Sequence, residues 1–172
     1  DLLDLAKLEA QKMEVRPIRQ DIQPILQQVA GELDPLLQKK HLQLVYHNHC
    51  PDTHALVDAP RLAQVLNNLL SNAIRFSPEG GSITFTFIPA QVPRGRRASD
   101  QGQLEAIALM VDDQGPGIPP DELDLIFDKF AQSTRTRTGA GGTGLGLAIC
   151  LEIMAAHRGQ IRAENREQGG AR

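Results

Sequence analysis

The sequence predicts an α+β fold, a two-layer α/β sandwich in which helices cover one face of a mixed β-sheet. The chain has 172 residues, of which 41% are hydrophobic, and this is room for one such domain and little more. Apolar residues recur at helical spacing in some segments and at strand spacing in others. No internal repeat or low-complexity tract is present, so a single mixed domain is expected.

The first forty residues predict two helices. Leucines recur at helical spacing through residues 2–13, and Pro17 disfavours helix at the residue before it. Asp21 can cap a second helix, which the internal Pro35 should bend or split. One face of that helix must be buried, because it carries an apolar stripe. The stripe consists of Ile22, Ile25, Leu26, Val29, Leu33, Leu36 and Leu37.

Two strands and the most regular helix follow. Residues 42–46 and 54–57 are rich in strand-forming side chains, with a Pro-Asp turn between them. Pro60 suits the first turn of a third helix. The apolar positions of this helix fall on one face and are Leu62, Val65, Leu66, Leu69, Leu70 and Ala73.

A hairpin is predicted in the middle of the chain. Residues 82–88 alternate as a half-buried strand should, and residues 106–111 form a near-continuous apolar strand that indicates a central position in the sheet. Residues 89–103 carry few apolar side chains and are expected to form a mobile loop.

The last fifty residues combine a glycine-rich loop with a deeply packed helix. A short helix is predicted at 121–127, whereas residues 131–142 are too small, polar and glycine-rich for a stable element. From Thr143 a helix that is apolar on most sides runs to about His157, and a strand is expected at 160–164.

Composition excludes several classes of protein. The net charge of −3 and the pI of about 5.9 provide no general attraction to nucleic acids or anionic membranes. Cys50 and Cys150 have no ligand-like spacing, so buried thiols are expected rather than a zinc site or a disulfide. No apolar run reaches the roughly 18 residues of a membrane span. We expect a soluble, cytoplasmic fragment of a longer chain, one that lacks its last strand.

Two carboxamides interrupt the apolar pattern of the third helix. Asn68 and Asn72 lie four residues apart and hence on the same face. They could hydrogen-bond to backbone within the core, which is the common fate of buried amides. Alternatively they could hold Mg²⁺, which takes one or two protein oxygens and leaves its other positions to phosphate and water.

Two glycine motifs carry the remaining chemistry. In the first, Asp113 ends an apolar strand and is followed by Gly115 and Gly117, so a carboxylate and a closely approaching backbone could receive a flat base, although a simple turn would look the same. In the second, residues 142–147 place alternate glycines at the start of a helix, where exposed N–H groups favour an anion. Neither the Rossmann fingerprint nor a Walker loop is present.

Taken in their order along the chain, four segments resemble the conserved boxes of the ATP-binding catalytic domain of sensor histidine kinases. This family belongs to the superfamily that also contains gyrase, Hsp90 and MutL. Residues 61–78 resemble the asparagine box and residues 111–118 the first glycine box. Residues 127–130 resemble the phenylalanine box and residues 142–147 the second glycine box. The resemblance covers nearly the whole chain and implies a Bergerat-type fold that binds ATP and Mg²⁺.

The resemblance also implies roles for individual residues. Asn72 would ligate Mg²⁺ with Asn68 in support, Asp113 would bind the adenine amino group, and Arg75 would reach toward phosphate. Residues 131–142 would form a lid in which Arg135 or Arg137 meets the γ-phosphate, the alternative being a solvated loop charge. The implied catalytic residues are Asn68, Asn72, Arg75, Arg135 and Arg137. The implied nucleotide-binding residues are Asn68, Asn72, Arg75, Phe76, Asp113, Gly115, Gly117, Ile118, Lys129, Gly142, Thr143, Gly144, Leu145, Gly146 and Leu147.

Kinase activity rather than hydrolysis is the expected outcome. Members of the superfamily that hydrolyse ATP carry a glutamate base where this chain has Asn68, an amide that cannot take a proton. The acceptor histidine of the family lies in an upstream box that none of the five histidines here matches. Residues 1–16 are expected to end the dimerisation and phosphoacceptor hairpin, and residues 17–172 to form the catalytic domain.

The resemblance implies two protein partners, which are the chain's own hairpin in a homodimer and a response-regulator receiver domain. Two other functions stay open. They are a nucleotide-binding regulator without kinase activity and, with less support, an ATPase of the gyrase, Hsp90 or MutL kind.

Overall fold

A computed structural model describes residues 14–93, 102–131, 133–134 and 143–172. The helix predicted at 2–13 lies outside the described residues, as do the two lid arginines, Arg135 and Arg137, and Gly142. The described part forms five strands, three α-helices and two short 3₁₀ turns. They are β1 (Ile18–Asp21), α1 (Gln23–Lys39), β2 (Gln43–Asn48), β3 (His54–Val57), α2 (Ala59–Phe76), β4 (Ser82–Pro93), β5 (Gln103–Asp112), the 3₁₀ turns Pro120–Glu122 and Leu125–Phe127, and α3 (Gly146–Ala156).

The strands form two sheets. β1 pairs antiparallel with β3, and a mixed sheet has the order β2-β4-β5, with β2 parallel and β5 antiparallel to β4. Strand alternation buries Ile83, Phe85 and Phe87 of β4 in one cluster with side chains of α1 and α2. This arrangement confirms the predicted α+β class with a mixed sheet.

Helix α2 is packed into two hydrophobic clusters. Leu66 and Leu70 join the cluster that includes α1 and β4, whereas Val65 joins a second cluster with Ile149 and Ile153 of α3. Leu70 and Ile153 are fully buried. Because α2 is fixed from two directions, the polar side chains on its remaining face are held in defined positions.

Both ends of α2 are closed by side chains from elsewhere or from the adjoining turn. At its start, Asp58 accepts hydrogen bonds from the N–H groups of Arg61 (3.2 Å) and Arg16 (2.8 Å). The Asp58 N–H in turn donates to Nε2 of His157, at 2.9 Å, which joins the start of α2 to the end of α3. At its end, the Lys40 ammonium donates to the carbonyls of Ile74, Arg75 and Ser77 at 2.8, 2.8 and 2.9 Å.

Several predicted elements differ from those observed in the first half of the chain. Pro35 lies inside α1 and does not split it. Proline has no N–H to donate to the carbonyl of Gly31, but both residues are exposed, so water can take the place of that N–H. Leu36, expected in the buried stripe, is 48% exposed. The sequence does not predict β1, whose first two residues are exposed and which exists through its pairing with β3.

The β4–β5 hairpin is longer than its apolar residues suggest. Its backbone ladder extends to the pair of Pro93 with Gln103, so residues 89–93 and residue 103 are strand rather than loop, and β5 begins three residues before the predicted 106. Ladder hydrogen bonds need only the backbone, which explains why the polar sequence misled the prediction. The expected central position of β5 is also wrong, because among the described strands β5 pairs only with β4 and lies at an edge.

The end of the chain departs furthest from expectation. Two 3₁₀ turns replace the helix predicted at 121–127. Residues 160–164 do not form the predicted strand, because the backbone hydrogen bonds of Glu164 go to Arg172, at 3.0 and 2.8 Å, within a narrow hairpin of residues 164–172. The predicted helix is present as α3, but it begins at Gly146 rather than at Thr143, and it ends at Ala156, next to the expected His157.

The two cysteines agree with the sequence prediction. Cys50 and Cys150 are free and buried, and burial raises the pKa of the Cys150 thiol to about 12. Among the described helices, none combines the length and the apolar character needed to cross a membrane.

The Lys40 contacts generate a first prediction. Lys40→Met removes three charge-assisted hydrogen bonds to the end of α2 and should lower the free energy of unfolding by about 2 kcal/mol. Urea unfolding followed by circular dichroism measures this. Lys39→Met, at the exposed neighbouring position, is the control, and an equal effect of the two substitutions would contradict a capping role for Lys40.

The Asp58 cap generates a second prediction. The hydrogen bond from Arg16 and then that from Arg61 lower the pKa of Asp58 below 3.8. A lowered pKa in the folded state means that the stabilisation is complete above pH 3.8 and disappears as the pH falls through the folded-state value. Asp58→Ala should therefore cost about 1 kcal/mol at pH 7 and progressively less below pH 4.

Thermal or urea unfolding between pH 2 and 8 tests this dependence. Asp34→Ala, at an exposed position of α1, should have a small effect at every pH. A cost of Asp58→Ala that is the same at pH 7 and pH 2 would rule out the charged cap.

Candidate functional site

A wide, open cavity of about 2250 Å³ runs along α2, past the end of β5 and over the start of α3, and it extends further along β3, β5 and residues 157–164. This volume exceeds the roughly 300–1,000 Å³ of a compact small-molecule pocket, so the feature is a groove rather than a closed chamber. It brings together residues from three separate sequence motifs. Those among the predicted residues are Asn68, Asn72, Arg75, Phe76, Asp113, Gly117, Ile118, Thr143, Gly144, Leu145, Gly146 and Leu147.

The amide face of α2 forms one wall of the groove. Asn68 and Asn72 are half-buried and one turn apart. Oδ1 of Asn68 lies 3.0 Å from the point where a Cβ on Gly146 would be, so α3 can begin this close to α2 because residue 146 has no side chain. Asn68 also hydrogen-bonds with the Cys150 thiol, which opposes the rise in the pKa of that thiol caused by burial. Asn68 is therefore part of the α2–α3 contact as well as of the wall.

The end of α2 supplies an aromatic ring and a cation. The guanidinium carbon of Arg75 lies 5.2 Å from the centre of the Phe76 ring. Phe76 is half-buried and its carbonyl lies 2.9 Å from where a Cβ on Gly115 would be. The Lys40 ammonium, bonded to carbonyls on both sides of Phe76, holds this turn in place.

The carboxylate of Asp113 is half-satisfied by backbone. Its Oδ1 accepts from the N–H groups of Gly115 (2.8 Å) and Ala171 (3.1 Å). Among the described residues, no hydrogen bond is donated to Oδ2. An acceptor with one open oxygen at the edge of a groove can receive one N–H donor from a ligand.

The 164–172 hairpin holds the loop that carries Asp113, and sequence reasoning did not identify it. The side chain of Asn165 bonds both the N–H (2.8 Å) and the carbonyl (2.6 Å) of Ile118. Arg172 forms a bidentate ion pair with Asp112, with hydrogen bonds of 2.6 and 2.8 Å. This pairing raises the pKa of Arg172. Only the two adjacent glycines, Gly169 and Gly170, could have signalled this turn in advance.

The start of α3 offers backbone donors. Gly144 has φ of +71°, and a Cβ there would lie 2.7 Å from the carbonyl carbon of Phe130. The Phe130 N–H donates to the Gly144 carbonyl at 2.9 Å. Leu145 precedes the first turn of α3, and it makes no side-chain capping bond. The first N–H groups of α3, which carry the partial positive charge of the helix start, therefore receive no side-chain cap from Leu145, and Leu145, Gly146 and Leu147 all line the groove.

Some predicted residues lie elsewhere. Gly115 and Lys129 are not among the residues that line the groove, and Lys129 is exposed. Phe127 lines the groove, whereas the Phe130 side chain is 63% exposed and so is not part of the core.

Comparison with known proteins agrees with this arrangement. Residues 57–172 match the family described as histidine kinase-, DNA gyrase B- and HSP90-like ATPase. The adaptive-response sensory kinase SasA of Synechococcus sp. (strain JA-3-3Ab) is 34% identical over 167 residues, which are 96% of this chain and 40% of SasA. The sensor histidine kinase WalK of Bacillus subtilis (strain 168) is 30% identical over 172 residues, which are 99% of this chain and 26% of WalK. The chain thus spans about two fifths or less of the length of these relatives.

Solved structures show the same similarity. Full-length ShkA in complex with AMPPNP superimposes with a TM-score of 0.76 at 30% identity, over 99% of this chain and 32% of ShkA. The catalytic domain of the histidine kinase ThkA superimposes with a TM-score of 0.72 at 27% identity, over 91% of this chain and 92% of that domain. The chain therefore belongs to the histidine kinase-, DNA gyrase B- and HSP90-like ATPase family, and within it resembles the catalytic domains of sensor histidine kinases.

Proposed function

We propose that the groove binds Mg·ATP and that the chain is the catalytic domain of a sensor histidine kinase. The observation that carries the proposal is the convergence of three distant motifs, around Asn72, Asp113 and Gly144, on one groove. Each contributes a different kind of partner. They are an amide oxygen, a carboxylate oxygen and backbone N–H groups, which match a metal, a base and phosphate respectively.

The base end of the groove has the chemistry of adenine. Oδ2 of Asp113 can accept one N–H from an exocyclic amine, while Phe76 and Ile118 offer apolar surface to a ring. A base with a carbonyl at that position would place oxygen against a carboxylate, which is repulsive. The site therefore favours adenine over a base without the amino group.

The middle of the groove suits Mg²⁺ held largely by the nucleotide. No three His, Cys, Asp or Glu side chains within the described part of the chain converge on a metal position. Asn72 would supply the protein oxygen, and phosphate oxygens and water would complete the octahedron. Bound there, the ion would neutralise phosphate charge.

The phosphate end is the start of α3. Its N–H groups and helix dipole favour an anion, which the glycines of residues 142–146 allow to approach closely. We assign Thr143, Leu145 and Leu147 to this end through their backbone, and Arg75 and Lys129 to the surrounding positive charge. Arg135 and Arg137 are proposed to meet the γ-phosphate from the lid.

Transfer to a histidine fits the site better than hydrolysis. The side chain of Asn68 is an amide, which cannot accept a proton. Residue 68 therefore provides no carboxylate that could activate water. Positioning and charge neutralisation can suffice when the acceptor is a better nucleophile, such as a histidine ring nitrogen. His157 is unsuited to this, because its two ring nitrogens bond the Asp58 N–H and the Ile153 carbonyl.

The acceptor is proposed to lie upstream of this sequence. We infer that residues 1–16 end a dimerisation hairpin that carries this histidine, and that residues 17–172 are the catalytic domain. A receiver-domain aspartate of a response regulator is the next proposed acceptor. A solved structure of the histidine kinase ThkA in complex with the response regulator TrrA shares the fold of this chain, with a TM-score of 0.71. We place the domain in the cytoplasm, where ATP is available.

Nucleotide binding gives the third prediction. The chain should bind Mg·ATP or Mg·ADP in a titration calorimeter, and Asp113→Ala should weaken binding at least tenfold, because a hydrogen bond to a charged acceptor is lost. Asn72→Ala should reduce the dependence of binding on Mg²⁺, because the ion would lose its protein ligand while phosphate oxygens and water still hold it. Gln38→Ala, at an exposed position of α1, is the control.

The same titration can refute the proposal. An absence of Mg-dependent binding by the wild-type chain, or unchanged binding by both site variants, would be incompatible with it. Steady release of phosphate by the chain alone would instead favour an ATPase. Acid-labile phosphate on a histidine, after the upstream hairpin is added to the reaction, would distinguish a kinase from a non-catalytic regulator.

A further inference from the structure

The 164–172 hairpin is attached to the loop of residues 113–118 at both ends of that loop. At one end the Asp113 N–H donates to the Ala171 carbonyl at 3.0 Å, and the Ala171 N–H donates back to Oδ1 of Asp113 at 3.1 Å. At the other end Asn165 bonds the backbone of Ile118 in both directions. The hairpin therefore fixes the backbone of the loop and one oxygen of the Asp113 carboxylate.

The hairpin approaches Asp113 more closely than any side chain would allow. A Cβ on Gly170 would lie 2.0 Å from the Asp113 carbonyl oxygen, and φ of Gly170 is +88°. Arg166 donates to that same carbonyl oxygen at 2.6 Å. These contacts leave the Asp113 residue little freedom to rotate as long as the hairpin stays in place.

An ion pair between the buried Asp112 and the partly exposed Arg172 holds the hairpin there. Asp112 is only 6% exposed, and its two oxygens accept from Nε and Nη2 of Arg172 at 2.6 and 2.8 Å. Arg166 lies 3.6 Å from Asp112 as a second cation. Loss of Arg172 would leave the buried Asp112 carboxylate with only the more distant Arg166 cation, which is costly, so the pair keeps Arg172 and the adjacent Ala171 in position.

The direction of the Asp113 carboxylate follows from this chain of contacts. Oδ1 accepts from the N–H groups of Gly115 and Ala171, and none of the described residues donates to Oδ2, which is therefore the oxygen that we assign to a ligand. Arg172 itself reaches Asp112, not Asp113, so its effect on a ligand passes through the Ala171 backbone.

We propose that the Asp112–Arg172 pair positions the Asp113 carboxylate. By holding Asp113 in place, the pair sets the selectivity of the site for a purine that carries an exocyclic amino group. This rests on the proposed function of the groove. Arg172 is a positioning residue in this account and not a catalytic one.

The test compares two nucleotides that differ only in that amino group. Titration of the chain with Mg·ATP and with the Mg²⁺ complex of purine riboside 5′-triphosphate measures the preference for the amine. We expect about 10- to 100-fold for the wild type, as for one hydrogen bond to a charged acceptor. Arg172→Gln should reduce the ratio of the two nucleotide affinities at least about threefold. Arg172→Lys keeps the charge but not the bidentate geometry, so it should retain part of the preference.

The ratio separates positioning from a purely structural role. Weakening of both nucleotides by the same factor, with an unchanged ratio, would overturn the inference. Arg16→Gln is the control. The Arg16 side chain is exposed, and Arg16 hydrogen-bonds to Asp58 through its backbone N–H, so the substitution removes one positive charge and should leave the ratio at the wild-type value. If thermal melting shows that Arg172→Gln is unfolded, Asp112→Asn is measured in its place, with the same expected fall.

Two results for the wild type have separate meanings. Binding of neither nucleotide would refute the proposed function and with it this inference. Tight binding of both without a preference would leave a nucleotide site standing but would show that Asp113 does not read the amine.

Discussion

The packing of α2 between two hydrophobic clusters is the constraint on which the rest of the structure depends. Leu70 is buried against α1 and β4, while Val65 is buried against α3, so the helix cannot rotate without exposing apolar surface. Its remaining face carries Asn68 and Asn72, and these amides consequently have a fixed position beside the start of α3. Lys40 and Asp58 close the two ends of the same helix, and through them the neighbouring turn and the end of α3 are placed as well.

A groove for a highly charged ligand is formed here without a basic surface. The chain carries a net charge of −3. In the proposed site, the positive potential would come from the N–H groups at the start of α3, from Arg75 and Lys129, and from a metal that the nucleotide would help to hold. Glycines make this possible, because Gly144 lets the backbone of Phe130 come within contact distance and Gly146 does the same for the side chain of Asn68. The acidic composition and the proposed phosphate site are therefore compatible.

Much of this arrangement could be predicted from the sequence, and the failures have physical reasons. The strong period of α2, its proline start and the order of the boxes predicted the wall, the loop and the helix start of the groove. The lengths of β4 and β5 were underestimated from their apolar residues, because strand pairing continues through polar residues to Pro93. The hairpin that fixes Asp113 was missed because its contacts join residues more than forty positions apart and involve backbone atoms, which leave no periodic trace.

The central claim is that three distant motifs form one ATP site with a defined orientation. A crystal structure of the chain with Mg²⁺ and a non-hydrolysable ATP analogue tests this most directly. The account predicts the adenine amino group within about 3 Å of Oδ2 of Asp113 and the phosphates at the N–H groups that open α3. A nucleotide bound outside the groove, or one reversed so that its base lies at α3, would contradict it.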